Sequence, residues 1–277
     1  MSYRKILTIQ DISCVGQCSL TVALPILSAA GMETCILPSA VLSTHTAGFS
    51  GYTVRDLTAD IPGIAAHWKK ENIRFDALYT GYLGSTEQIA YVREIAAELL
   101  SDGGAVIVDP AMADNGVLYK GFAPDFPEKM ARLCAGADYI LPNVTEAALL
   151  AGEDPKTAVR TKAEVESLVG RLHELGAKTV VLTGVSLDAD SLGTAVSDGS
   201  GIVYDFNPRL PRSSHGTGDV FASVFAGAVM RGRTAAEAAA LAADIVCAAL
   251  EATDADHWYG VSFEKVIPDI VRALGRE

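Results

Sequence analysis

Residues 215–232, HGTGDVFASVFAGAVMRG, join a glycine-rich turn to an apolar stretch of helical length. Backbone N–H groups at such a helix start attract anions, whereas the carboxylate of Asp219 in the first turn repels them. Asp219 therefore either caps the helix, as aspartate often does, or takes part in chemistry. Both interpretations predict a helix over 218–231, and the second predicts an anion-binding turn beside a general base.

Outward from this segment, short β-rich runs alternate with longer stretches of helical period. The alternation predicts an α/β fold, a three-layer α/β/α sandwich with a mostly parallel central sheet. Turn residues at 197–201 predict a hairpin, while the other gaps are long enough for crossover helices. Strands are predicted at 5–10, 33–38, 76–83, 105–110, 138–143, 179–184, 193–198 and 201–206. Helices are predicted near 17–30, 56–71, 86–101, 125–135, 144–152, 161–175, 218–231, 234–252 and 262–275.

The composition predicts an ordered globular protein, and we expect one domain over residues 1–277. A formal net charge of -12 argues against binding to nucleic acid or to an anionic membrane. No run of eighteen uncharged apolar residues occurs, so we expect a cytoplasmic protein. The five cysteines are scattered and the histidines make no short pairs, which predicts reduced thiols and no structural zinc.

Ligands of parallel α/β folds bind outside the carboxyl ends of the strands. The loops after the second and third predicted strands are polar and glycine-rich, and they carry Thr46 and Tyr82. These side chains could offer a hydrogen bond and an aromatic face to a flat polar ligand. Ordinary strand-to-helix turns are the alternative interpretation of both loops.

Acidic residues follow the fourth and fifth predicted strands. Asp109, Asp114 and Glu146 could hold a hydrated Mg²⁺, because this ion prefers a few carboxylates together with waters and phosphate oxygens. The alternative is structural, with Asn143 and Thr145 as helix caps and Asp109 as a strand end before proline.

Together, an anion-binding turn, a carboxylate and an acidic rim match the needs of phosphoryl transfer. Such enzymes mostly position groups and neutralise charge, and a carboxylate accepts the proton of the attacking hydroxyl. The sequence contains no GxxxxGK[ST] loop and no HRD or DFG element, which excludes P-loop and protein kinases at the level of motifs.

Six motifs, in this order along the chain, resemble those of the vitamin B6 kinases in the ribokinase-like superfamily. They are IQDIS (9–13), THTAGFSGY (44–52), TGYLGSTEQ (80–88), VDPAMADNGVLY (108–119), LPNVTEAALL (141–150) and GTGD (216–219). The resemblance covers nearly the whole chain and implies a ribokinase-like fold. It also implies ATP- and Mg²⁺-dependent phosphorylation of the 5′-hydroxymethyl group of pyridoxal, pyridoxine or pyridoxamine.

The resemblance also implies roles for individual residues. Asp219 would be the catalytic base. The anion hole for the transferred phosphate would consist of Gly216, Thr217 and Gly218. The ATP phosphates, the nucleotide and magnesium would be bound by Asp109, Asp114, Asn143, Glu146, Thr183 and Arg209. The pyridine pocket would be lined by Thr46 and Tyr82.

The first loop departs from the pattern, because B6 kinases commonly have serine directly after glutamine. Here Asp11 follows Gln10 and Ser13 comes later, so either side chain could meet the pyridine ring. A carboxylate at this position could pair with a protonated pyridine or with the amine of pyridoxamine. Arg209 and Arg212 precede the anion hole, where they could bind ATP phosphates or stay solvated.

Three other functions remain open. A hydroxymethylpyrimidine kinase of thiamine synthesis shares the fold, but its matching turn commonly reads GTGC. A sugar or nucleoside kinase usually carries a lid-strand insertion and longer glycine motifs early in the chain. A catalytically silent vitamer-binding protein would have no chemical need for Asp219 beside the anion turn. The resemblance also implies a homodimer, although burial within the monomer is the favoured explanation of the apolar stretch 235–252.

Overall fold

A computed structural model describes residues 4–156 and 159–275. The strands are β1 (Lys5–Ser13), β2 (Glu33–Leu42), β3 (Val54–Asp56), β4 (Phe75–Thr80), β5 (Leu100–Val108), β6 (Ala113–Asp114), β7 (Val117–Leu118), β8 (Tyr139–Ile140), β9 (Thr179–Val185), β10 (Ser191–Ser197) and β11 (Ile202–Pro208). The helices are α1 (Leu20–Ala29), α2 (Ile61–Lys70), α3 (Thr86–Leu99), α4 (Phe126–Cys134), α5 (Val144–Leu150), α6 (Lys162–Glu174), α7 (Thr217–Met230), α8 (Ala235–Ala252) and α9 (Ile267–Leu274).

One large sheet orders its strands as β11-β10-β9-β8-β5-β4-β1-β2-β3. The pairs from β2 through β1, β4, β5 and β8 to β9 are parallel, so their carboxyl ends meet at one edge. Strand order reverses at β1, because the chain first adds β2 on one side and later β4 on the other. A reversal of this kind opens a crevice at the carboxyl ends, where α/β proteins bind ligands.

The two faces of the sheet carry separate apolar cores. Successive side chains of a strand point to opposite faces, and accordingly Ile6 packs in the core under α1, α7, α8 and α9, while Leu7 packs in the core under α2 to α6. Ile107 and Val108 divide in the same way on β5. The predicted three-layer α/β/α sandwich with a mostly parallel sheet is therefore confirmed.

The gap between β9 and β10 holds a turn, although its length was predicted to be enough for a crossover helix. These strands are antiparallel neighbours joined by a short turn over 186–190. Asp188 shapes the turn, because its Oδ1 accepts hydrogen bonds from the backbone of Asp190 and from both the backbone and the hydroxyl of Ser191. The hairpin of β10 and β11 was predicted correctly.

The prediction also missed three short strands, β3, β6 and β7. β6 and β7 pair through a two-residue turn of Asn115 and Gly116, both with positive φ. Asn-Gly is the preferred sequence for a tight hairpin turn, so the signal was present in the sequence. β3 consists of exposed residues only, and no apolar alternation marked it.

The apolar stretch 235–252 forms α8, whose buried residues pack into the same core as α7. The monomer therefore covers one face of this helix, as expected. The five cysteines are free thiols. Within residues 4–156 and 159–275, no helix combines the length and the apolar composition that a membrane span requires.

Candidate active site

The turn before α7 exposes the backbone at the start of this helix. Gly216 is the N-cap residue and has a φ of 81°, in the left-handed region that favours glycine. A Cβ at this position would also overlap the carbonyl oxygen of Gln17. Gly218, by contrast, faces open space, because nothing lies within 4 Å of its virtual Cβ. Gly218 is therefore exposed at the start of α7, and the anion-binding role of this turn stays a prediction.

Asp219 does not cap its own helix. It is the third residue of α7, and the acidic third residues of α5, α6 and α8 all fold back onto their N-cap residues as capping boxes. Within the described ranges, no side-chain hydrogen bond caps α7, since glycine at the N-cap has no side chain to offer. The capping interpretation therefore fails at this helix, and the carboxylate is available for chemistry.

The surroundings of Asp219 favour its protonated form. Burial raises the pKa of the Asp219 carboxyl to about 7, the backbone N–H of Ser19 lowers it, and the negative charge of Asp11 raises it further. A carboxylate whose pKa lies near neutral pH is suited to accept and release a proton during turnover. The structure thus supports the chemical role that the sequence assigned to this residue.

Asp109 and Glu146 form a buried acidic pair at the ends of β5 and β8. Asp109 is 9% exposed, and its pKa lies well above the usual range because of burial and the charges of Glu146 and Asp219. Glu146 accepts hydrogen bonds from the backbone N–H groups of Asn143 (2.9 Å), Met112 (3.0 Å) and Ala113 (3.4 Å). Carboxylates that repel one another in a buried site provide the charge that a cation would neutralise.

Asp114 is more exposed than this pair, although its charge raises the pKa of Glu146. It ends β6 on the small β6–β7 hairpin, is exposed, and accepts hydrogen bonds from the backbone (2.8 Å) and the amide (3.0 Å) of Asn115. In the described part of the chain, no group of three or more His, Cys, Asp or Glu side chains is arranged to hold a metal ion. The structure brings Asp109 and Glu146 together and leaves Asp114 at the rim.

Asn143, which follows β8, and Thr183, which lies on β9, form an isolated parallel bridge. Asn143 is the N-cap of α5, where its Oδ1 accepts from the Glu146 N–H at 2.9 Å and its Nδ2 donates to the Ala113 carbonyl at 2.9 Å. Thr183 donates its backbone N–H to the Pro142 carbonyl at 2.9 Å. Asn143 therefore caps α5, as the structural alternative predicted. Its Nδ2 also ties the start of α5 to the segment after β5.

The two arginines before the anion turn are engaged with the protein. Arg209 donates to the hydroxyl of Ser186 (2.7 Å) and to the Ser191 carbonyl (3.3 Å), so it fastens the turn between β9 and β10. Arg212 donates to the carbonyls of Leu250 and Thr253 at the end of α8. Both guanidinium groups are exposed and stabilise the loop that leads into α7.

Asp11 and Ser13 meet at the end of β1, where a bulge interrupts the pairing with β2. The Ser13 hydroxyl donates to Asp11 Oδ2 at 3.0 Å, and both residues are buried. Burial raises the pKa of Asp11, and His45 lowers it. Asp11 and Ser13 therefore act as one hydrogen-bonded pair, and a ligand that contacts one of them lies near the other.

Tyr82 and Thr46 occupy different environments. Tyr82 is half-buried and packs on Phe122 with a ring-centroid distance of 5.3 Å. Burial raises its pKa to about 12, and the charge of Asp11 adds to the shift, which places this ring near Asp11. Thr46 is exposed in the loop after β2.

The sequence analysis missed His45, which is buried next to the exposed Thr46. Its Nε2 is 2.5 Å from the Tyr259 carbonyl oxygen, and its Nδ1 accepts from the Ala47 N–H at 3.2 Å. Its ring lies 5.3 Å from that of His215, directly before the anion turn. The aromatic stretch HWYG at 257–260 was the available signal that this loop packs on another segment.

The chain is similar to several known proteins. The phosphomethylpyrimidine kinase family matches residues 27–261. A protein of Bacteroides thetaiotaomicron assigned to the phosphomethylpyrimidine kinases, and solved with pyridoxal, is 35% identical with a TM-score of 0.91, covering 97% of this chain and 96% of that one. Pyridoxal kinase of Lactobacillus plantarum is 34% identical with a TM-score of 0.90, covering 98% of both chains. Pyridoxal kinase PdxY of Leifsonia xyli is 33% identical over 235 residues, 80% of this chain and 79% of that protein.

Substitutions at the two glycines of the anion turn should separate folding from ligand binding. Gly216→Ala should lower the melting temperature, because the methyl group overlaps Gln17 and the left-handed φ adds strain of order 1–3 kcal/mol. Gly218→Ala should leave the melting temperature nearly unchanged and raise the KM for ATP, since its methyl group projects into open space near the turn. Equal melting temperatures of the two variants, measured by calorimetry, would contradict the close contact with Gln17.

The raised pKa of Asp219 should make the protein less stable as pH rises. The folded state holds the Asp219 proton up to about pH 7, whereas the unfolded chain releases it near 3.8, so stability falls across this window. Asp219→Asn should therefore match the wild type near pH 3.5 and exceed it at pH 8, by at most ~4 kcal/mol. Urea unfolding at both pH values checks this, and a constant difference would count against a buried carboxyl at this position.

Proposed function

The chain belongs to the phosphomethylpyrimidine kinase family, within the ribokinase-like superfamily, and we propose that it is a pyridoxal kinase. It transfers the γ-phosphoryl group of ATP to the 5′-hydroxymethyl group of a vitamin B6 vitamer. The full-length likeness to pyridoxal kinases supports the substrate class. The observation that carries the chemistry is the uncapped start of α7, where Asp219 and free backbone N–H groups lie side by side.

In the proposed reaction, the hydroxyl oxygen of the vitamer attacks the γ-phosphorus, and the bond from phosphorus to the ADP oxygen breaks. The hydroxyl proton passes to the Asp219 carboxylate, which later releases it to solvent. Negative charge on the transferred phosphoryl group meets the N–H groups of Gly216, Thr217 and Gly218 and the positive end of the α7 dipole. Asp219 thus faces the nucleophile, while the backbone faces the phosphate.

Asp109 and Glu146 would hold Mg²⁺ near the ATP phosphates. Magnesium sites commonly use one or two carboxylates together with waters and substrate phosphates, and the ion neutralises the charge on those phosphates. Glu146 uses three of its roughly four lone-pair positions for backbone N–H groups, so Asp109 is the main protein ligand. The repulsion among Asp109, Glu146 and Asp219 gives this site its affinity for a cation.

The nucleotide side of the site includes Asn143 and Thr183, which border the acidic pair. We assign Arg209 a supporting role through the turn between β9 and β10, since its guanidinium already donates to Ser186 and Ser191. Asp114 would reach the ligand from the rim of the site. It would contribute less than Asp109 because its side chain is exposed.

The vitamer side of the site includes Asp11, Ser13 and Tyr82. The pKa of Asp11 is raised by burial, so a cationic partner would stabilise its ionised form. A protonated pyridine nitrogen or the amine of pyridoxamine supplies such a charge. Tyr82 offers a ring face beside Asp11, and Thr46 borders the entrance in the loop after β2.

The thiamine-synthesis alternative is weaker. Hydroxymethylpyrimidine kinases commonly have cysteine where this chain has Asp219, and the full-length relatives described above include pyridoxal kinases. A silent binding protein would not need to keep a buried carboxylate at the cost of stability. From the family resemblance alone, we also propose a cytoplasmic homodimer, for which light scattering would give the molecular mass.

Turnover should depend on Asp219 and on a B6 vitamer. Purified protein with Mg-ATP should release ADP in the presence of pyridoxal, pyridoxine or pyridoxamine, and more slowly with hydroxymethylpyrimidine. Asp219→Asn should lower kcat by about 10²- to 10⁴-fold, because the general base is lost, while ATP binding persists. A preference for the pyrimidine would move the protein to the alternative, and ATP binding without turnover would revive the silent binder.

The same vitamer panel applied to Asp11→Asn tests the role of the first loop. We expect this variant to lose turnover on pyridoxamine more than on pyridoxal, because only the former carries the second cationic group. An unchanged ratio between these two vitamers would remove Asp11 from the recognition of charge and leave Ser13 as the contact.

Magnesium dependence should distinguish the buried carboxylate from the exposed one. Asp109→Asn should raise the Mg²⁺ concentration for half-maximal activity by roughly ten-fold or more, because a main ligand of the cation is lost. Asp114→Asn is the matched control and should raise it far less, since this side chain is exposed and bonded to Asn115. Activity measured over a Mg²⁺ titration at saturating ATP gives both values, and the reverse order would contradict the assignment.

A further inference from the structure

A layer of buried polar side chains lies directly beneath Asp219 and Asp109. Thr8 and Gln10 on β1 alternate with apolar residues and face the same side of the sheet as Ile6, toward α7. Tyr79 on β4 pairs with Thr8 across the parallel ladder and faces the same side. Ser223 is one helical turn after Asp219 on α7, so it lies on the same face of that helix.

Three polar atoms of this layer are buried without a hydrogen-bond partner among the described residues. They are the hydroxyl oxygens of Tyr79 and Ser223 and the Oε1 of Gln10. All three residues have no solvent exposure. The Gln10 amide is oriented by its Nε2, which donates to the Thr8 hydroxyl at 2.8 Å and leaves Oε1 free.

The Tyr79 hydroxyl lies close to the other two groups. Burial and the charges of Asp109 and Asp219 raise the pKa of Tyr79, and the nearby side chains of Ser223 and Gln10 lower it. Leaving buried polar groups unpaired costs about 1–3 kcal/mol each. A buried water needs two to four polar partners, and these three atoms supply them.

We propose that Tyr79, Ser223 and Gln10 together bind an ordered water molecule beneath the first turn of α7, and that this hydrated layer positions Asp219 for phosphoryl transfer. Tyr79 is thereby a positioning residue, since it acts through the water and α7 and does not touch the substrate. The kinetic part of this inference rests on the proposed kinase function, whereas the water site does not.

The water site and the kinetic role of Tyr79 can be tested by separate measurements. A crystal structure of the full-length protein at high resolution, without substrate, should show a water within hydrogen-bond distance of at least two of the three atoms. A dry layer in that structure would overturn the proposal whether or not the protein phosphorylates a vitamer. In this way a failure of the water site is distinguishable from a failure of the proposed function.

Kinetics of Tyr79→Phe test the positioning role. Removing only the hydroxyl should lower kcat with pyridoxal by roughly ten-fold while KM for ATP and for pyridoxal changes by less than about two-fold, because the effect is on geometry in the transition state. Tyr204→Phe is the matched control. Tyr204 also has a buried, unpartnered hydroxyl, but it lies on β11 at the far edge of the sheet, and its variant should keep the wild-type kcat.

Ser223→Ala provides a second variant should Tyr79→Phe fold poorly, and it should give a similar loss of kcat. The double variant should lose no more than either single one, since residues that act through one shared water are not additive. A wild-type kcat in Tyr79→Phe, or an equal loss in Tyr204→Phe, would overturn the positioning role.

Discussion

The close approach of Gly216 to the carbonyl oxygen of Gln17 is the contact on which the site depends. It holds the loop between β1 and α1 against the start of α7, and it is possible only because Gly216 lacks a side chain and adopts a positive φ. Through this contact, the backbone N–H of Ser19 comes to the Asp219 carboxyl. Ser19 itself has a φ of 57° and a ψ of -130°, which is strained for a residue with a Cβ. Backbone strain thus occurs where the loop before α1 and the start of α7 come into contact beside the Asp219 carboxyl.

The same glycine explains why Asp219 is free. At α5, α6 and α8, a side chain at the N-cap and an acid at the third helical position satisfy each other's backbone groups. Glycine in place of the N-cap side chain removes half of that exchange at α7. The acid turns toward the crevice, and the first N–H groups of the helix keep their capacity to bind an anion. A missing cap thus accounts for both the proposed base and the proposed phosphate site.

The sequence predicted the layers and the hairpin of β10 and β11, because period and turn residues encode these features locally, whereas the position of the site at the strand ends stays a prediction. It did not show that Asp109 and Asp114, five positions apart, would have different surroundings. That difference arises from the Asn115-Gly116 turn, which folds β6 against β7 and directs Asp114 to solvent. His45 was missed for another reason: its partner Tyr259 lies 214 positions along the chain, and the contact between the two depends on tertiary packing.

Buried acids are costly, and the arrangement around Asp109, Glu146 and Asp219 has no cationic side chain among the causes that shift their pKa values. Backbone N–H groups stabilise Glu146 and Asp219 in part, but dipoles do not cancel the repulsion among three carboxylates. Protonation relieves this repulsion in the free protein, and under the proposed function a bound cation would supply the compensating charge. In an acidic chain whose nearby Arg209 and Arg212 are committed to the protein, a metal ion is the natural source of that charge. Its binding would lower the pKa of Asp219, so the base would ionise when the phosphate donor arrives. Under the proposed function, the acidity of the site would thus couple readiness for proton transfer to the binding of the metal ion and the nucleotide.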